Sequence, residues 1–316
     1  MKKILFALFL ISSALILSNC GNSNKEVVHK EENTITLSAD KVEINGVNHF
    51  ISKMGEGEPL LVLHDGPGLF HNYLVPHFKN LAKKYQIIFY DQRGCGETEF
   101  PADTSSITIG TYVADLEAIR KHLEIDQLNL VAHSWGSLLA LNYTKKHSAN
   151  VKRLILISPA PTNANYFDET FSNMQKKRTE AETIALVNEM KSSNFEKTIL
   201  LNNQVNLVKQ ENIAELYAPM KFDKAKANNL MRVQSILEKT YFNLNIAEGL
   251  ENISIPTLIV VGALDNVPFA STQLIHEGLK NSKLEVIKNS CRYPFFESPK
   301  QFNTIVKDFL DPEYEL

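Results

Sequence analysis

Short apolar runs alternate with segments of helical period along most of this chain. Residues 59–64 (PLLVLH), 86–90 (QIIFY), 128–132 (LNLVA), 151–158 (VKRLILIS), 255–262 (IPTLIVVG) and 283–287 (KLEVI) read as strands. Their near-continuous hydrophobicity is what a strand buried on both faces requires. Residues 73–84, 111–123, 134–146, 271–279 and 299–310 read as helices, and in the second of these Val113, Leu116, Ile119 and Leu123 recur at helical spacing. Strand and helix in strict alternation predict an α/β fold, a mostly parallel central sheet with helices on both faces. Ahead of it, residues 35–44 and 47–53 read as an antiparallel hairpin turning at Asn45-Gly46, a pair suited to the positive φ of a tight hairpin.

The alternation stops between residues 161 and about 245, where the pattern stays helical and rich in Lys, Glu and Asn. So long an insertion between two sheet strands reads as a helical lid over the carboxyl edge of the sheet. The expected layout is a first core part over residues 34–160, the lid over 161–250 and a second core part over 251–316.

Residues 1–20 have a different pattern. Lys2 and Lys3 precede an apolar run over residues 4–17, and Leu17-Ser18-Asn19-Cys20 follows. The run is short for a membrane span and has the length of a signal-peptide apolar region. The ending resembles a bacterial lipobox, which implies that Cys20 is lipidated and becomes the mature N-terminus. Residues 21–33 are polar and read as a flexible tether. The expectation is an exported lipoprotein, held at a membrane through Cys20 and facing the periplasm or cell exterior. Loss of Lys2 and Lys3 would take the net charge from −3 to −5, so acyl chains rather than anionic-lipid attraction would hold it. The absence of a basic block excludes nucleic acid as the expected partner. Besides Cys20 only Cys95 and Cys291 remain, and they read as independent residues rather than a disulfide framework.

Candidate chemistry gathers at the ends of the predicted strands. Ser134 lies between an apolar strand and a helix in Ala132-His133-Ser134-Trp135-Gly136, where small neighbours permit the sharp turn that exposes a nucleophile. The strand at 59–64 runs into His64-Asp65-Gly66-Pro67-Gly68, a turn able to present the Gly66 N–H. Together with the Trp135 N–H it would form an oxyanion hole. Asp91 and Arg93, after the strand at 86–90, read as loop braces. Asp265 follows the strand at 255–262, where a carboxylate can orient a base. No His, Asp or Glu cluster has metal-ligand spacing, so neither metal nor other cofactor is expected.

In this order the strings HDGPG, DQRGCGET, AHSWGS, GALD and YPFFESP resemble the α/β-hydrolase fold, specifically the proline iminopeptidase family of serine peptidases, from about residue 59 to 310. The resemblance implies Ser134 as nucleophile, Asp265 as triad acid, Gly66 and Trp135 as oxyanion donors, and a peptide or small-molecule substrate that loses an N-terminal residue. It also implies lid carboxylates that grip the substrate amine, for which Asp168, Glu169, Glu180 and Glu182 are candidates.

Two departures bear on activity. The family's HGGPG turn carries Asp65 here, which sets a negative charge beside the oxyanion donors. The family's base histidine is replaced by Arg292, in register with YPFFESP. Arginine has no acceptor and stays protonated, so it cannot take the serine proton. None of His64, His71, His77, His133 and His276 lies on the loop where geometry wants a base. The expected role of Arg292 is a bidentate pair with Asp265, or capture of a ligand carboxylate. Three readings stay open: a peptidase crippled at Arg292, a non-catalytic ligand-binding relative, and an esterase-type hydrolase with another base.

Overall fold

The computed structural model describes residues 36–311 and 313; the segments expected to be a leader and a tether, and the expected lipidation at Cys20, lie outside the described residues. The strands are β1 (Leu37–Ile44), β2 (Val47–Met54), β3 (Glu58–Leu63), β4 (Tyr85–Tyr90), β5 (Leu128–His133), β6 (Val151–Ile157), β7 (Thr257–Gly262) and β8 (Ser282–Ile287). They form one sheet in the order β1-β2-β4-β3-β5-β6-β7-β8. β1 and β2 pair antiparallel, β2 joins β4 antiparallel, and every pairing from β4 onward is parallel. The hairpin turns where its sequence predicts, with Asn45 at φ 49° and Gly46 at φ 72°.

The helices are α1 (Val75–Phe78), α2 (Ile109–His122), α3 (Trp135–His147), α4 (Ala164–Lys176), α5 (Glu180–Lys191), α6 (Phe195–Asn203), α7 (Ile213–Tyr217), α8 (Lys224–Phe242), α9 (Phe269–Gly278), α10 (Pro294–Glu297) and α11 (Pro299–Leu310). Side chains along each buried strand alternate between two apolar clusters. Leu61, Leu63, Leu130 and Ala132 face α2 and α3, while Leu60, Val62 and Val131 face the layer holding Phe78, Phe302 and Phe309. That alternation is the period-2 geometry of a strand covered on both sides.

One predicted helix differs. The segment 73–84 is not continuous but splits into a 3-10 turn at His71–Tyr73, the short α1 and another 3-10 turn at Leu81–Lys83. Pro76 has no N–H with which to continue a helix begun before it, so α1 starts afresh with Pro76 in its first turn. The apolar positions Tyr73, Leu74, Phe78, Leu81 and Ala82 are buried all the same.

From β6 to β7 the chain is helical, as α4 to α8, and contributes no strand. This insertion meets the core near the carboxyl ends of the strands: Leu230 of α8 closes on Gly68 after β3, and Tyr217 of α7 packs edge-on against Tyr73 and Tyr293. Because β3 lies between β4 and β5, successive connections leave it in opposite directions. The loops after β3 and β5 therefore face each other across the crevice where open α/β sheets hold their ligands.

Candidate active site

Ser134 follows β5 directly, with φ 53° and ψ −115°, a region costly for a residue bearing a Cβ. Two contacts hold the turn: Ser134 N–H donates to the Ile157 carbonyl at 3.0 Å, and Ser137 N–H donates to the Ser134 carbonyl at 2.9 Å. Glycine at 136 is required by close approach, since a Cβ there would lie 2.6 Å from the Leu63 carbonyl oxygen. The strained turn brings the Ser134 hydroxyl to the crevice while leaving it only 4% exposed.

Arg292 arrives from the loop after β8. Its Nη2 donates to Ser134 Oγ at 2.5 Å, and its Nη1 donates to Asp265 Oδ1 at 3.1 Å and Oδ2 at 3.4 Å. The structure thus corrects the expected bidentate fork. One nitrogen serves both Asp265 oxygens, and the other turns to the serine. Asp265 also accepts the Val267 N–H at 3.1 Å. Serine, cation and carboxylate stand in the order of a hydrolase triad, but the central group only donates. Ser134 Oγ is an acceptor toward Arg292, the reverse of the bond a general base makes.

The remaining histidines are engaged elsewhere. Since a carbonyl can only accept, His133 donates its Nε2–H to the Arg292 carbonyl at 3.0 Å, which leaves Nδ1 to accept from Tyr73 Oη–H at 2.7 Å. Tyr73 Oη in turn accepts the Asp65 N–H at 2.9 Å. Burial pushes the His133 imidazole down to about 4, with Arg292 adding to the effect and Asp65 opposing it. This neutral chain ties together the three loops that carry Ser134, Asp65 and Arg292. His64 donates from Nδ1 to the Asp65 carbonyl at 2.6 Å and accepts the Gln92 N–H at 3.0 Å. His71 pairs with Asp91 at 2.8 Å. Among the described residues no histidine nitrogen hydrogen-bonds Ser134.

The Gly66 and Trp135 N–H groups do converge, and both donate to Asp65 Oδ1, at 2.7 and 3.1 Å. Asp91 and Arg93 act inside their loop: Asp91 accepts the His71 and Glu97 N–H groups, and Arg93 grips both oxygens of Asp115 at 2.8 Å. Burial alone would raise the Asp91 carboxyl, but the charge and hydrogen bonds of His71 outweigh it and hold the group below its ordinary range.

Among the described residues, no hydrogen bond joins the four lid carboxylates to Ser134. Asp168, Glu169 and Glu180 are exposed. Glu182 caps its own helix through Thr179 and accepts the Gln204 amide at 3.0 Å. The insertion reaches the site through Asn206 instead, whose carbonyl accepts the Arg292 N–H at 3.1 Å and whose side chain accepts the Asn266 amide at 2.8 Å. Glu297, inside the string YPFFESP, accepts the Cys291 N–H at 2.7 Å, the Ser290 hydroxyl at 3.0 Å and the Val208 N–H at 2.6 Å. Neither residue stands out in the sequence. Asn206 sits in a stretch of helical pattern, and Glu297 is marked only by its fixed distance from Arg292. Cys95 and Cys291 are separate buried thiols, and burial pushes the Cys291 thiol up to about 12.

The family profile described as alpha/beta hydrolase fold matches residues 58–299, a span that starts at β3 and ends beyond the Arg292 loop. The chain belongs to the α/β-hydrolase fold family. Within this family it resembles the proline iminopeptidases. It is 28% identical to the proline iminopeptidase of Saccharolobus solfataricus, over 83% of this chain and 87% of that protein. It is also 28% identical to that of Heyndrickxia coagulans, over 81% of this chain and 92% of that protein. The crystal structure of proline iminopeptidase from Mycobacterium smegmatis superposes with a TM-score of 0.64 at 20% identity, covering 86% of this chain and 97% of that one.

Proposed function

We propose that this α/β hydrolase is a proline iminopeptidase-like protein in which acyl-enzyme turnover at Ser134 is strongly impaired. The observation that carries the reading is the Arg292 guanidinium on Ser134 Oγ at 2.5 Å. For Ser134 to attack a peptide carbonyl, its proton must pass to a neighbouring acceptor as the new C–O bond forms. The guanidinium supplies hydrogen-bond donors only, and it keeps its own protons at any pH at which the protein is folded. Comparison with related serine hydrolases puts the loss of the base at about 10⁶ in turnover. The substrate class favoured by the resemblance is a peptide with an N-terminal proline. An export signal and a lipid anchor at Cys20 complete the reading and would hold the domain at a membrane.

The test compares the natural protein with Arg292→His on an N-terminal prolyl anilide and on a serine-directed phosphonate. Restoring a general base is expected to raise turnover by about 10²–10⁴-fold and to make Ser134 the phosphonylated residue. A natural protein that turns over as fast as the His variant would overturn the reading, whereas two inactive proteins would place a second lesion at Asp65.

A further inference from the structure

We propose that the Asp65 carboxylate occupies the oxyanion hole as a built-in anion, a second block on the site that acts independently of Arg292. The two donors that would stabilise a tetrahedral intermediate, Gly66 N–H and Trp135 N–H, converge on a single atom, Asp65 Oδ1, at 2.7 and 3.1 Å. Donors at about 2.7–3.1 Å from the position of a developing O⁻ define such a hole. Here that position is filled by a carboxylate oxygen of the same chain.

The backbone around Asp65 is pinned from two further sides, by Tyr73 Oη on its N–H at 2.9 Å and by His64 on its carbonyl at 2.6 Å. A substrate carbonyl oxygen placed on the same N–H pair would need the space of Oδ1. Its growing negative charge would also meet a carboxylate in a site that is 7% exposed at Asp65. Charge of the same sign in so little water is repulsive over several ångströms. Trp135 N–H lies at the start of α3, the 13-residue helix Trp135–His147, so the helix dipole that would favour a transition-state anion favours the resident carboxylate instead. The carboxylate is therefore a fixed stand-in for the oxyanion, and it holds the hole closed with or without a base on Ser134.

The consequence for activity rests on the proposed hydrolase reading; the occupancy of the hole does not. Four proteins separate the two: the natural chain, Asp65→Ala, Arg292→His, and the double variant. Turnover of the prolyl anilide by the double variant is expected to exceed that of Arg292→His by about 10²–10³-fold, the usual worth of an oxyanion donor. The independent readout is acetate binding, followed by the ¹⁵N–¹H amide signals of Gly66 and Trp135. In Asp65→Ala these two amides are expected to shift on addition of acetate, because an external carboxylate takes the vacated position. In the natural chain they do not move. Acetate shifts in Asp65→Ala without any rescue of turnover in the double variant would support the occupied hole and count against the peptidase reading. Amides in Asp65→Ala that ignore acetate, or an Arg292→His protein that turns over measurably and as fast as the double variant, would overturn the inference. A thermal melt and an unchanged amide spectrum away from the two loops establish that Asp65→Ala is folded.

Discussion

Protonating His133 would break the neutral chain that joins the Ser134, Asp65 and Arg292 loops. Its imidazole donates from Nε2 to the Arg292 carbonyl and accepts from Tyr73 at Nδ1, so the added proton turns Nδ1 into a donor and leaves the Tyr73 O–H without its acceptor. Burial first, and then the Arg292 charge, push this group down to about 4, although Asp65 and Asp265 pull the other way. Unfolded, the same histidine takes up its proton near the ordinary value of about 6.5. The unfolded chain therefore binds more protons than the folded one between those limits, and His133 contributes stability that is whole above about 6.5 and is lost as pH falls toward 4. The loss amounts to roughly 3 kcal/mol across the window. Urea unfolding at pH 7, 5.5 and 4.5 should show a shallower decline in His133→Gln than in the natural protein; parallel declines would show that His133 does not remain neutral in the fold. Much of the site at this scale is legible before any coordinates. Ser134, Gly66, Trp135 and Asp265 follow buried apolar strands, Arg292 follows the partly exposed edge strand β8, and strand ends in a parallel sheet share one edge. What a sequence cannot carry is side-chain direction. The rotation that puts Asp65 Oδ1 on two N–H groups, and the division of Arg292 between Asp265 and Ser134, are choices among rotamers with the same spacing along the chain.

At the scale of elements, the turn between β5 and α3 is specified by its steric exclusions. The start of α3 passes so close to β3 that a Cβ on Gly136 would sit 2.6 Å from the Leu63 carbonyl oxygen, 2.9 Å from that of His64 and 2.9 Å from Leu63 Cβ. Two of these are backbone atoms of a central strand, which cannot yield as a flexible side chain does. Gly136→Ala should therefore lower stability by roughly 1–3 kcal/mol, the range for overpacking a tight interior, and should displace Ser134 from Arg292. Chemical denaturation measures the first effect. A midpoint within error of the natural protein would show that the helix and β3 can part without cost. The same element scale shows where periodicity suffices. The strands and the helices α2, α3, α9 and α11 follow the hydrophobic pattern because long runs leave one solution. The predicted helix at 73–84 keeps its buried positions but not its continuity, since Pro76 interrupts the hydrogen-bond ladder without disturbing the spacing of apolar residues. In the insertion, period alone finds helical character but cannot divide it into α4 to α8, because the N-caps that start α4, α5 and α6, namely Asn163, Thr179 and Asn194, sit among many other residues of the same kind.

Across the whole molecule, the insertion is joined to the catalytic edge by a small set of polar contacts between buried surfaces. Tyr217 and Tyr293 share a hydroxyl–hydroxyl bond at 2.8 Å, and Val208 N–H reaches Glu297 at 2.6 Å beside the Asn206–Arg292 link. These contacts all fall between Arg292 and the end of α10 at Glu297, so anchoring of the insertion and placement of the guanidinium are one problem. Tyr217→Phe removes one hydroxyl and leaves that of Tyr293, which is fully buried, without its partner. A buried polar group stripped of its hydrogen bond costs about 1–3 kcal/mol. That cost falls on the closed arrangement, because opening the seam would give the Tyr293 hydroxyl water. When opening and reclosing are faster than cleavage, proteolysis follows the population of the open form. Trypsin should therefore cut Tyr217→Phe within the segment between β6 and β7 about 5- to 150-fold faster than the natural protein. Far-ultraviolet circular dichroism, taken before digestion, should be unchanged. Cuts that begin in the sheet instead, or rates equal in the two proteins, would mean that the insertion is held by its apolar contacts with Gly68 and Tyr73 and that the tyrosine pair adds nothing to its closure.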